Sequence, residues 1–139
     1  MSEDFPITIF HNPDCGTSRN VVAIVKAAGY DPFVIEYLKA GWDRRLLESF
    51  LADMPATARD LLREKGTPAA ELGLLDPAVS DDALLDAMIA HPILVNRPIV
   101  VTPLGVKLCR PSEAVLTLLE HAPESFTKED GEVVVIARA

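Results

Sequence analysis

Ile7-Thr8-Ile9-Phe10-His11-Asn12-Pro13-Asp14-Cys15-Gly16-Thr17-Ser18-Arg19-Asn20 is the stretch on which the architecture turns. Its first four residues are three β-branched side chains and one aromatic, which predicts a short strand. His11-Asn12-Pro13-Asp14 is turn chemistry. Gly16-Thr17-Ser18 then opens a run with Val21, Val22, Ile24, Val25 and Ala28 on one face, a helical spacing that stops at Gly29. Phe33-Val34-Ile35, after Asp31-Pro32, reads as a second strand. Strand, loop, helix and strand make a βαβ unit, which pairs two parallel strands.

Working outward, the middle of the chain reads as helical. Asp43 caps a helix through Leu47, Phe50 and Leu51. A short helix is expected over Ala58 to Glu64, and another from Thr67-Pro68 towards Leu74. Ser80-Asp81-Asp82 caps the run Leu84 to His91, which Pro92 ends. Ile99-Val100-Val101-Thr102 and Val106-Lys107-Leu108, joined by Pro103-Leu104-Gly105, predict a hairpin. Pro111-Ser112-Glu113 begins a last helix carrying Val115, Leu118 and Leu119. The tail from Glu132 to Ala139 contains Val133-Val134-Val135-Ile136, strand-forming by propensity, although a short helix is the alternative. The order βαβ, helical block, ββα predicts an α/β fold with a thioredoxin-like mixed sheet. The 139 residues suit one domain, 1–139, with a helical insertion at about 43–92.

Net charge is −8 and the pI is about 4.8, which disfavours nucleic acid or an anionic membrane as partner. Any anionic ligand must therefore be held by a local basic cluster. Two cysteines far apart, Cys15 and Cys109, form no disulfide framework and suit a reducing compartment. No signal-peptide core or membrane span is legible, so a cytoplasmic protein is expected. There is no metal-ligand spacing and no phosphate-binding glycine loop.

Cys15 lies where a strand ends and a helix begins. Unpaired amides and the positive end of the helix dipole stabilise a thiolate there and attract an oxyanion in front of it. Gly16 allows close backbone approach, Thr17 and Ser18 offer hydroxyl donors, and Arg19 adds a cation. Asp14 works against the thiolate. Ser18 occupies the second-cysteine position of a C-x-x-C loop, so dithiol exchange within the loop is impossible. A resolving thiol must be Cys109 or come from another molecule. His11 either raises the local positive potential or orients the loop, or else serves the turn alone. Arg63, after Leu61-Leu62, Arg97, before Pro98, and Arg110, before Pro111, fall in segments that should flank this loop. Guanidinium forks suit a tetrahedral dianion better than a lysine point charge. Cys109 reads as a packing residue.

The segment His11 to Asn20 resembles the signature of the arsenate reductases that use glutathione and glutaredoxin. The stretch from His91-Pro92-Ile93-Leu94 through Asn96-Arg97-Pro98 to Leu108-Cys109-Arg110-Pro111-Ser112-Glu113 is similar to that family's second signature. Leu61-Leu62-Arg63 and Phe126-Thr127-Lys128-Glu129-Asp130-Gly131 also fit, so the resemblance spans nearly the whole chain. It implies reduction of arsenate to arsenite through a covalent Cys15 adduct. Arg63, Arg97 and Arg110 would then bind the oxyanion, and His11 would support the thiolate. It further implies a cis Pro98, glutathione as co-substrate, glutaredoxin as partner and no tightly bound cofactor. Asp14 departs from the small residue expected there. The rival readings are an Spx-like, thiol-sensing regulator that binds RNA polymerase, a monothiol glutaredoxin-like protein, and a related reductase with another substrate.

Overall fold

Ile9 and Val100 are fully buried neighbours on adjacent strands, and the sheet is built outward from them. The computed structural model describes residues 5–123 and 125–135. Two compact units divide the chain: Met1–Glu36 with Arg97–Ala139, and Tyr37–Asn96.

The first unit holds a four-stranded mixed sheet in the order β2-β1-β3-β4. Strand β1 (Thr8–His11) pairs in parallel with β2 (Phe33–Glu36) and antiparallel with β3 (Ile99–Thr102), which turns back into β4 (Gly105–Leu108). Helix α1 (Gly16–Ala27) makes the β1-to-β2 crossover. The expected thioredoxin-like sheet is thus present, with the βαβ half and the hairpin half meeting at β1 and β3. Side chains alternate along each strand. Ile7 and Ile9 therefore join Val100, Val21, Ile24 and Val25 in one core, closed by Val115, Leu118 and Leu119. Burying each of these side chains contributes about 1.5–3 kcal/mol. Helix α1 ends where Gly29 takes φ +99, a conformation that costs a glycine little.

The segment after β4, expected as an α-helix, is a 3-10 helix over Ser112–Leu118, packed on α1. The tail takes its strand alternative: β6 (Val133–Val135) pairs antiparallel with β5 (Ser125–Thr127). Residues 136–139 of that tail lie outside the described residues. Both Arg97–Pro98 and Arg110–Pro111 are cis peptides; the first was implied by the resemblance and the second was not.

The second unit contains α2 (Tyr37–Ala40), α3 (Arg44–Asp53), α4 (Ala58–Leu61), α5 (Asp81–Ala90) and a 3-10 turn, Pro92–Leu94. Asp43 and Ser80 cap α3 and α5 through their side chains, as expected. Trp42 stacks on Tyr37 and meets the edge of Phe50, and its indole nitrogen donates to the Pro92 carbonyl. Arg44 bridges α3 to α5 through Asp82 and Asp86. Two expectations need correction. The helix over Ala58 to Glu64 stops at Leu61, because Leu62 turns extended and forms a bridge with Val95. No helix runs from Thr67 to Leu74. That segment is a series of turns, with Gly66 and Gly73 at φ +73 and +75, outside the right-handed helical region.

Candidate active site

Cys15 is the residue that caps α1. Its backbone is extended, its amide donates to the Asn12 carbonyl at 3.0 Å, and its own carbonyl accepts the Arg19 amide at 3.0 Å. No acidic residue lies in the first turn, so nothing in that turn opposes the helix's positive end. The loop ahead of it is closed by Asn12, whose side-chain oxygen accepts the Asp14 amide at 2.9 Å. That bond leaves the Asp14 side chain exposed, away from the interior.

The sulfur is nearly covered, yet what covers it on one side is charged. Arg110 donates from Nη1 towards Sγ at 3.6 Å, and the same nitrogen donates to the Arg97 carbonyl at 2.8 Å. Burial alone would push the thiol's pKa up. A hydrogen bond from the Arg97 side chain, the Ser18 amide and Arg110 outweigh it and bring Cys15 down to about 7. Close to half of the sulfur is therefore anionic at neutral pH. Arg97 and Arg110 both flank the open end of the β3–β4 hairpin, where the chain enters β3 and leaves β4.

Cys109 behaves in the opposite way. It is fully buried in the apolar core beside β4, and burial pushes its thiol up to about 12, with Lys107 opposing only weakly. It is inert at neutral pH.

His11 and Ser18 are both buried, with Nδ1 and Oγ 2.6 Å apart. The Ser18 oxygen also accepts the Asn12 amide at 3.1 Å. Burial lowers the His11 pKa, with Glu36 opposing and Arg19 reinforcing, so the imidazole is neutral at pH 7. The imidazole and the serine hydroxyl share one hydrogen bond, whose donor is set by the ring tautomer. The His11 ring is thereby engaged with the turn through Ser18. Ser18 was expected to offer its hydroxyl to a ligand. The hydroxyl is turned inward, and what faces the sulfur is the Ser18 amide.

Gly16 was expected for close backbone approach. A methyl group there would meet only Arg19 Nη2 and Glu129 Oε1, both at 3.7 Å, which is ordinary contact. Thr17 is half-buried in the first turn of α1. The Arg19 guanidinium is engaged by Glu129 at 2.7 and 2.9 Å and by the Pro13 carbonyl at 2.7 Å. Arg63 belongs to the second unit. There its amide donates to the Leu94 carbonyl at 2.8 Å, and its side chain to Asn96 Oδ1 at 3.2 Å and the Lys65 carbonyl at 3.1 Å. Those bonds hold it half-buried beside the Leu62–Val95 bridge. Among the described residues, no cluster of His, Cys, Asp or Glu could hold a metal ion, and no helix is long and apolar enough to cross a membrane.

Sequence reasoning passed over the Arg97 carbonyl, which holds Arg110 in place, and Glu129, which holds Arg19. The first is a backbone atom with no compositional signal. The second is an ordinary acidic residue 110 positions from its partner.

A thiolate at a helix start, faced by guanidinium groups, is suited to attack on an oxyanion. Known proteins match nearly the whole chain. The profile of the ArsC family matches residues 10–118. Arsenate reductase ArsI1 of Synechocystis sp. is 57% identical over 139 residues, 99% of this chain and 96% of that protein. An arsenate reductase of Rhizobium meliloti is 57% identical over 132 residues, 94% of each chain. The solved arsenate reductase from Vibrio cholerae superposes with a TM-score of 0.78 at 37% identity, covering 83% of this chain and 98% of that one.

Proposed function

The chain belongs to the ArsC family, and on that premise we propose that it reduces arsenate to arsenite, with Cys15 as nucleophile and glutathione and glutaredoxin as the thiol partners. The observation that carries this reading is the Cys15 sulfur at the head of α1, titrating at about 7, with Arg110 Nη1 3.6 Å away.

The Cys15 thiolate attacks pentavalent arsenic, forming a sulfur–arsenic bond as the bond to one arsenate hydroxyl breaks and that hydroxyl takes a proton from solvent and leaves as water. Arg97 and Arg110 neutralise charge on the remaining oxygens as the bond forms, and Arg63 is assigned the same task. The Ser18 amide and the start of α1 serve the oxyanion from the other side. Gly16 and Thr17 line that turn. His11 acts on this turn through Ser18, and Arg19 through Pro13.

Glutathione then attacks the adduct. Two thiol sulfurs supply the two electrons that take arsenic from the pentavalent to the trivalent state, and these sulfurs end as a disulfide. Glutaredoxin accepts the glutathionyl group, and arsenite leaves. Outside thiols are required for two reasons: Ser18 occupies the position of a second loop cysteine, and Cys109 is protonated at any physiological pH.

The test is a turnover assay on the purified protein with arsenate, omitting glutathione and glutaredoxin in turn. Arsenite should form only when both are present. Equal rates without glutaredoxin would remove that partner, and no arsenite under any condition would reject the activity.

A further inference from the structure

The acidic turn between β5 and β6 lies against the beginning of α1. Glu129 engages Arg19 with both carboxylate oxygens, at 2.7 and 2.9 Å, in the forked geometry that gives an arginine–carboxylate pair its directionality. The third arm of the same guanidinium, Nη1, donates to the Pro13 carbonyl at 2.7 Å. The Glu129 amide donates to Asn20 Oδ1 at 3.2 Å, so the turn is bound to α1 by backbone as well as side chain. A second tether, Lys128 to Glu113 at 2.8 Å, ties the same turn to the 3-10 helix after β4. Pro13 is two residues before Cys15, and the Pro13 carbonyl belongs to the loop whose Asn12 carbonyl receives the Cys15 amide.

A single exposed ion pair contributes little by itself. This one differs because all three nitrogens of the guanidinium are engaged. The Arg19 guanidinium is spent on holding the loop and the turn together. We propose that Glu129 is a positioning residue for Cys15: through Arg19 it fixes the Pro13 carbonyl, and with it the loop that presents the sulfur to Arg97, Arg110 and the Ser18 amide. The inference rests on Cys15 being the reacting group. It asks more of Glu129 than solubility or turn formation, because a nucleophile keeps its low pKa only while its donors stay in place.

Charge and position make opposite predictions. Glu129→Gln removes a carboxylate close to the helix start and frees a guanidinium, so through space it should favour the thiolate and lower the Cys15 midpoint. If Glu129 acts by positioning, releasing the loop loosens the donors around the sulfur and the midpoint rises. Arg19→Lys keeps the charge but cannot hold a carboxylate and a carbonyl in one fork, so it should move the midpoint in the same upward direction.

The experiment is a pH titration of thiolate absorbance for the wild-type protein, Glu129→Gln and Arg19→Lys, with kcat/KM for arsenate measured alongside. Cys109 is silent over the range because it titrates at about 12. The expected result is an upward midpoint in both variants, with a loss of up to about fivefold in kcat/KM near neutral pH that shrinks at higher pH. An unchanged or lowered midpoint in Glu129→Gln or Arg19→Lys overturns the proposal. A wild-type protein that titrates near 7 but forms no arsenite rejects the arsenate reading and leaves the titration to decide the role of Glu129.

Discussion

Replacing Arg110 by Ala separates two tasks that the proposed mechanism gives to one guanidinium. Arg110 Nη1 is 3.6 Å from the Cys15 sulfur, so its charge favours the thiolate before any substrate arrives. In the proposed mechanism it also neutralises charge on the substrate oxygens. The Cys15 thiol titrates at about 7, against 9.0 for an unperturbed thiol. Burial opposes that difference, and Arg97, the Ser18 amide and Arg110 together overcome it. Removing one close cation of this kind raises a midpoint by about one pH unit. At pH 7 the anionic fraction then falls from about a half to about a tenth, roughly a fivefold loss. Losing a donor to the developing negative charge costs about a hundredfold or more besides.

The two losses respond differently to pH. At pH 9 both proteins are almost fully ionised at Cys15, so the fivefold part disappears and the larger part stays. The assay is kcat/KM for arsenate at pH 7 and pH 9, with glutathione and glutaredoxin in excess. Arsenate's own ionisation changes for both proteins and cancels in the ratio. The deficit of Arg110→Ala should be about five times larger at pH 7 than at pH 9. A deficit of the same size at both values would refute the claim that Arg110 sets the ionisation of the sulfur.

Brief alkylation at neutral pH, followed by intact-mass measurement, should add one group per chain, at Cys15; two would contradict the assignment of Cys109 to the core. Cys109→Ser should keep most of the turnover, and Cys15→Ser should have none. Arg63→Ala should lower kcat/KM by about a hundredfold or more, with Arg63→Lys recovering part of it, and wild-type kinetics would remove Arg63 from the oxyanion site. Ser18→Ala strands the buried Asn12 amide and His11 Nδ1, and should cost about 1–3 kcal/mol in thermal or chemical denaturation. An unchanged transition would mean that these groups find other partners.

The sheet was legible because its signals are local. Ile7 to Phe10 carry a strand propensity, the apolar spacing from Val21 to Ala28 is helical, and Pro103-Leu104-Gly105 is hairpin chemistry. The turns around Thr67 to Leu74 imitate a helix start, with a hydroxyl and a proline ahead of leucines. The positive φ angles of Gly66 and Gly73 override that pattern, and a single sequence does not reveal which glycines take them. Strand β5 was invisible, being three residues long with Phe126 as its only apolar member; its pairing with the valine tract defines it. At the site, the position of Cys15 between strand and helix was legible in the sequence. The groups that hold it are different. The Ser18 amide and the Arg97 carbonyl are backbone atoms, and the Arg19–Glu129 pair joins residues 110 apart, so only the folded chain reveals them.

The central claim is that the Cys15 sulfur is held as an anion among guanidinium groups. Its most direct test is the pH dependence of the alkylation rate of Cys15 in the wild-type protein, with and without arsenate. The rate should reach half its maximum near pH 7, and arsenate should slow it by occupying the space before the sulfur. A midpoint close to 9.0, indifferent to arsenate, would contradict it.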